Sequence, residues 1–212
     1  MEQTLRWFEE HKFAVVVRSG SADDAEKMIK AAISGGIRIF EVSMQTPQAL
    51  KIIETYAKKD GFLFGAGAVL DGEMAQRAIN AGAKFLASLY TDDEIINVAK
   101  NNDIFVIQGA STPTEAFNAY QLGADLVRIF PAGLAGGPAF VKTVRGALPF
   151  VKLLASGDVT FENAGEYLKH CVAVSLGKAI FDKGLVRSDN WSEITDRAKQ
   201  FTQKLDALKV AR

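Results

Sequence analysis

The fold class this sequence predicts is α/β: a single (β/α)8 barrel with a leading N-terminal helix. Three observations carry that reading. Short apolar, β-branched runs recur roughly every 20 to 25 residues, each trailed by an amphipathic stretch of helical period. Most of these runs are too continuously apolar to keep one wet face, which suits parallel strands covered by helices. Proline falls where helices should begin (Pro47, Pro113, Pro138), and glycine where they should end (Gly35-Gly36, Gly82, Gly123). About eight such repeats match the strand count of a closed barrel, although an open doubly wound sheet fits the same alternation.

Taken in order, an amphipathic helix over residues 2–10 precedes a first strand at Ala14–Val17. Ser21–Ser34 then reads as a helix, followed by a strand at Ile37–Val42, a helix at Pro47–Lys58 and a strand at Phe62–Ala66. Gly72–Asn80 and Thr91–Asn101 are helices around a fourth strand at Phe85–Ser88, and a fifth strand occupies Ile104–Gln108. The segment Ser111-Thr112-Pro113-Thr114-Glu115 opens the next helix, to Gln121, with a hydroxyl cap ahead of an early proline. Strands at Leu126–Phe130, Leu153–Ser156 and Val172–Leu176 alternate with helices at Pro138–Ala147 and Phe161–Lys169, and Trp191–Leu208 closes the chain. No linker or low-complexity tract interrupts the pattern, so residues 1–212 read as one domain.

Bulk properties narrow the function. Lysine plus arginine and aspartate plus glutamate each number 25, so no global field favours nucleic acid or an anionic membrane. The N-terminus has no apolar leader and no run approaches about 18 consecutive apolar residues, so a cytoplasmic protein is expected. The single cysteine, Cys171, lies in an apolar run and reads as a buried structural thiol. The two histidines, His11 and His170, belong near the face of the barrel opposite the mouth, and nothing in the spacing of acids and imidazoles forms a metal set.

In a barrel of this kind, chemistry gathers at the C-terminal strand ends. The polar residues there are Arg18, Glu41, Ser43, Ser88, Gln108, Arg128, Ser156, Asp158, Ser175 and Lys178, a plausible lining for a small anion. Three stretches fall in order: Gly36-Ile37-Arg38-Ile39-Phe40-Glu41-Val42, Gly65-Ala66-Gly67-Ala68-Val69-Leu70 and Arg128-Ile129-Phe130-Pro131-Ala132. With Gly109–Phe117 and Ser156-Gly157-Asp158-Val159-Thr160, they resemble the 2-keto-3-deoxy-6-phosphogluconate (KDPG) aldolase family, including its phosphogalactonate branch. The resemblance spans about residues 13 to 208. It implies a (β/α)8 barrel, usually a homotrimer, that cleaves a 2-keto-3-deoxy sugar acid to pyruvate and an aldehyde without metal or organic cofactor.

Carried over position by position, the resemblance makes Glu41 the general acid/base and Arg18 a substrate-facing arginine. It places Arg128 where the family carries the lysine that holds the keto acid as an imine. A guanidinium stays protonated and cannot serve as that nucleophile. Gln45 stands where many members carry a carboxylate-gripping arginine, and Ala68 where a threonine reaches the keto acid. Ser88 begins a segment, Ser88-Leu89-Tyr90, that usually carries a proline. Gly157, Asp158, Gly177 and Lys178 occupy the loop positions that cradle a phosphate. Gln108, Gly67, Phe130 and Pro131 complete the expected substrate-binding set around the catalytic pair Glu41 and Arg128.

Arg128 and Glu41 should meet inside the barrel as a bidentate ion pair, and Asp158 with Lys178 could pair at the rim. Three readings follow. One is a lyase in which Arg128 stabilises an enolate or another lysine, best Lys178, forms the imine. The second is a keto-acid or small-anion binding module. The third is a lysine-independent decarboxylase or isomerase with Glu41 as base.

Overall fold

The computed structural model describes residues 1–210. Helix α1 (Glu2–His11) precedes β1 (Phe13–Val17); α2 (Ala22–Ser34) leads to β2 (Ile39–Ser43), and α3 (Ala49–Tyr56) to β3 (Leu63–Gly67). Then come α4 (Gly72–Asn80), β4 (Phe85–Ala87), α5 (Asp93–Asn101), β5 (Phe105–Ala110), α6 (Pro113–Gln121) and β6 (Leu126–Ile129). Next follow α7 (Gly137–Ala147), β7 (Leu153–Ser156), α8 (Ala164–Leu168), β8 (Ala173–Leu176), α9 (Lys183–Arg187) and α10 (Trp191–Val210). All neighbouring strands run parallel, and β8 returns to β1 with Phe13 opposite Val174, closing the barrel. That closure selects the barrel over the open sheet.

Side chains alternate across each strand, so every second residue enters the barrel. Ala14, Ile39, Leu63, Phe85, Phe105, Leu126, Leu154 and Ala173 form the inner apolar cluster, with Ala87 and Ile107 above. Phe8 of α1 inserts into it from below; its ring lies 5.4 Å from that of Phe85 and 5.8 Å from that of Phe105. The other parity of each strand, with the inner faces of the helices, makes the larger outer core. Phe8 is thus the bottom cover of the barrel, and Cys171 is buried.

Boundaries shift where caps decide them. α5 begins at Asp93 rather than Thr91 because the Asp92 carboxylate accepts the Ile95 amide at 2.9 Å from outside the helix. α3 starts after Gln48, whose φ of 58° cannot belong to a helix, and so later than Pro47. α8 is shorter than Phe161–Lys169: the Thr160 amide donates to the Asn163 side chain at 2.8 Å, which holds that turn outside the helix. The short helix α9 was not anticipated from the sequence.

Candidate active site

The two ends of the barrel differ in polarity because the inner parity changes chemistry along the strands. Below it is apolar; above, the same inward register delivers Glu41 from β2 and Arg128 from β6. Their side chains meet inside the barrel. Arg128 Nη1 donates to Glu41 Oε1 at 3.0 Å, and Nη2 donates to Oε2, a two-point fork. The side chains are 1% and 3% exposed, so the pair is held away from bulk solvent.

Room for this pair comes from residues that lack side chains. A Cβ on Gly67 would overlap the Glu41 carboxylate, and one on Gly65 would strike the Phe85 ring. Gly109 does the same for the loop after β4, whose Leu89 backbone crosses where its Cβ would stand. Hydrogen bonds pin that loop over the mouth: Gly109 N donates to Tyr90 O at 3.2 Å, and Thr91 Oγ1 to Gly109 O at 3.0 Å.

Above the pair lies a cavity of about 400 Å³. Arg18, Glu41, Arg128, Phe130, Gly157, Asp158, Gly177 and Lys178, all expected site residues, line it together. At its rim Lys178 Nζ donates to Asp158 Oδ1 at 2.7 Å. Gly157 (φ +87°) and Asp158 (φ +59°) both adopt left-handed backbone there. Two buried polar atoms of the lining residues, Arg128 Nε and Ser175 Oγ, have no hydrogen-bond partner among the described residues. Buried groups of this kind are ordinarily satisfied, so donors left open beside a cavity are ready for a ligand.

The remaining expected residues are not on the cavity wall. Ser88 and Gln108 each follow an inward residue, Ala87 and Ile107, and so point to the outer layer. Gln108 Oε1 accepts the Asp92 amide at 2.9 Å, and Ser88 Oγ accepts the Tyr90 amide at 3.4 Å. Both organise the loop after β4. Gln45 is exposed in the turn after β2. Gly67 packs directly against the Glu41 carboxylate, and Pro131 packs behind Gly157, where an added Cβ would sit 3.0 Å from Pro131 Cα. Conversely, Ser43, Ser156 and Ser175 line the cavity with Val16, Ala68, Leu89 and Val159. The three serines are among the polar strand-end residues that the sequence picks out, and Ala68 is marked there by the family resemblance; Val16, Leu89 and Val159 are apolar and carry no sequence signal that separates them from core. No group of three or more histidine, cysteine, aspartate or glutamate residues is arranged to hold a metal among the described residues. Among them, too, no helix is long and apolar enough to cross a membrane.

Comparison with known proteins identifies the family. Residues 5–197 match the family model for KDPG and KHG aldolase. The 2-dehydro-3-deoxy-phosphogluconate aldolase of Treponema pallidum is 29% identical over 190 residues, covering 89% of this chain and 90% of its own. The 2-dehydro-3-deoxy-6-phosphogalactonate aldolase of Escherichia coli is 28% identical, covering 85% and 89%. A solved KDPG aldolase from Legionella pneumophila, with pyruvate captured at low pH as a covalent carbinolamine, superposes with a TM-score of 0.79 at 28% identity, over 91% of this chain and 94% of that one. The match over nearly the whole chain and the closed barrel agree: this chain belongs to the KDPG and KHG aldolase family, a family of carbon–carbon lyases.

Proposed function

We propose that this chain cleaves a 2-keto-3-deoxy sugar acid to pyruvate and an aldehyde at the barrel mouth, without an imine on the barrel-interior residue at position 128. The observation that carries this reading is the buried Arg128–Glu41 fork in the wall of the cavity. Glu41 takes the proton of the substrate's C4 hydroxyl, the C3–C4 bond breaks, and its electron pair forms the enolate of pyruvate. The Arg128 guanidinium, permanently charged, stabilises the enolate oxygen, and Arg18 holds the carboxylate. Glu41 then returns the proton to C3, which releases pyruvate and leaves the carboxylate ready for another cycle.

The test is pyruvate release from 2-keto-3-deoxy acids in a coupled assay. Glu41→Gln should lower kcat by roughly 10²-fold or more, and borohydride reduction in the presence of pyruvate should leave no lysine adduct. Full activity of Glu41→Gln would remove Glu41 from the mechanism. A second reading has one observation in its favour: Lys178 is among the residues that line the cavity. In that reading the imine has moved to Lys178, and a stoichiometric adduct mapped there would replace the enolate scheme.

A homotrimer in the cytoplasm completes the proposal. An exposed aromatic cluster supports self-association: Phe150 lies 6.4 Å from Phe117 and 5.0 Å from Tyr120, ring to ring. A designed cage built by fusing symmetric oligomeric domains also contains a similar chain, at 26% identity and a TM-score of 0.78, matched over 94% of this chain and 76% of that one. Sedimentation should give three times the chain mass.

A further inference from the structure

Five charged side chains line the mouth cavity, and their pairing sets what it can accept. Arg128 is forked onto Glu41, and Lys178 is bonded to Asp158. Among the described residues no ion pair engages the fifth, Arg18. The wall therefore carries three cations and two anions, a net single positive charge, and its one unmatched cation is exposed at the mouth.

That charge suits one carboxylate. A phosphorylated sugar acid brings a carboxylate and, in addition, a phosphate of about −1.5 to −2 charge at neutral pH. A phosphate that reached Lys178, the cation beyond Arg18, would lie beside the Asp158 carboxylate already bonded to that ammonium, a like-charge contact. The backbone of Asp158 is held in place. Its carbonyl accepts Asn163 Nδ2 at 3.0 Å, and Gly133 stands so close that a Cβ there would be 2.7 Å from Asp158 Cβ. Its φ of +59° fixes where the side chain leaves the loop.

We infer that this cavity selects a 2-keto acid with a single carboxylate and no phosphate, and that Asp158 is the residue that sets this preference. The inference rests on the keto-acid reading of the site. It differs from the substrates for which the phosphogluconate and phosphogalactonate relatives are named, which are phosphate esters.

Calorimetric titration of the full chain tests it, with pyruvate, 2-keto-3-deoxygluconate and the 6-phosphate of that acid as separate ligands. The unphosphorylated acid should bind at least roughly tenfold more tightly than its phosphate ester at low salt, and the gap should narrow as salt screens the repulsion. Asp158→Asn, a residue that tolerates left-handed backbone, should shift the ratio of the two affinities by roughly tenfold towards the ester. A wild type that prefers the ester, or an Asp158→Asn variant that leaves the ratio unmoved, would overturn the inference while pyruvate binding keeps the keto-acid reading intact. Absence of binding by pyruvate and both hexonates would overturn the two together.

Discussion

At the scale of single residues, the Arg128–Glu41 fork is the strongest structural commitment in the molecule. Two charges buried at this depth pay a large desolvation cost, which their mutual attraction and hydrogen bonds must offset. Arg128→Met therefore leaves an unpaired buried carboxylate and should lower the unfolding free energy by about 3–5 kcal/mol. The double variant Arg128→Met/Glu41→Leu should recover most of that loss while remaining inactive; urea denaturation of the four members of the cycle measures both. Gly67→Ala tests the same pair from the neighbouring strand, because its methyl group must displace the Glu41 carboxylate. It should cost about 1–3 kcal/mol and lower kcat. Cys171 is the counterexample of a nucleophile kept out of use. Burial pushes its thiol up to about 12, so thiolate is scarce at neutral pH and iodoacetamide should label it only after unfolding. Glu41 and Arg128 were legible because each stands as a charge in an otherwise apolar strand. Ser88 and Gln108 were misplaced because a strand apolar on both faces hides its inward parity, which only the folded register discloses.

At the scale of elements, the helix starts show how local chemistry fixes geometry around the mouth. α6 opens with a reciprocal cap: Glu115 N donates to Thr112 Oγ1 at 3.2 Å, while the Glu115 carboxylate accepts the amides of Ser111 at 2.7 Å and Thr112 at 2.9 Å. The Ser111 amide is the first cause that holds the Glu115 carboxyl below its ordinary value, and the Thr112 hydroxyl and amide add to it. A depressed carboxyl value stabilises the fold above the ordinary glutamate value of 4.5, and that contribution is lost as pH falls through the lower folded value. Wild type and Glu115→Gln should thus differ in thermal midpoint near neutrality and converge in acid. Thr112→Ala should cost about 1 kcal/mol by the same measurement. The sequence displayed this cap, and the proline after it, in plain order. It displayed α3, α8 and α9 poorly, because their limits depend on a left-handed Gln48, a Thr160–Asn163 turn and a helix of only five residues.

At the scale of the whole molecule, periodicity counted the strands but could not show whether the last one meets the first. That is settled by long-range pairing of β8 with β1, which no local pattern encodes. The floor of the barrel has the same character: Phe8 reads as an ordinary apolar helix residue until the strands place Phe85 and Phe105 around it. Phe8→Ala should cost about 3–5 kcal/mol in chemical denaturation. The plug also makes the barrel a blind tube with one door, and traffic through one door has an order. The half of the substrate that becomes pyruvate lies against buried Arg128, while the half that becomes the aldehyde faces the exposed rim in the proposed reaction. First in is then last out. Pyruvate should inhibit competitively against the intact sugar acid and the aldehyde noncompetitively, so a packing residue at the far end of the barrel dictates the sequence in which the products depart.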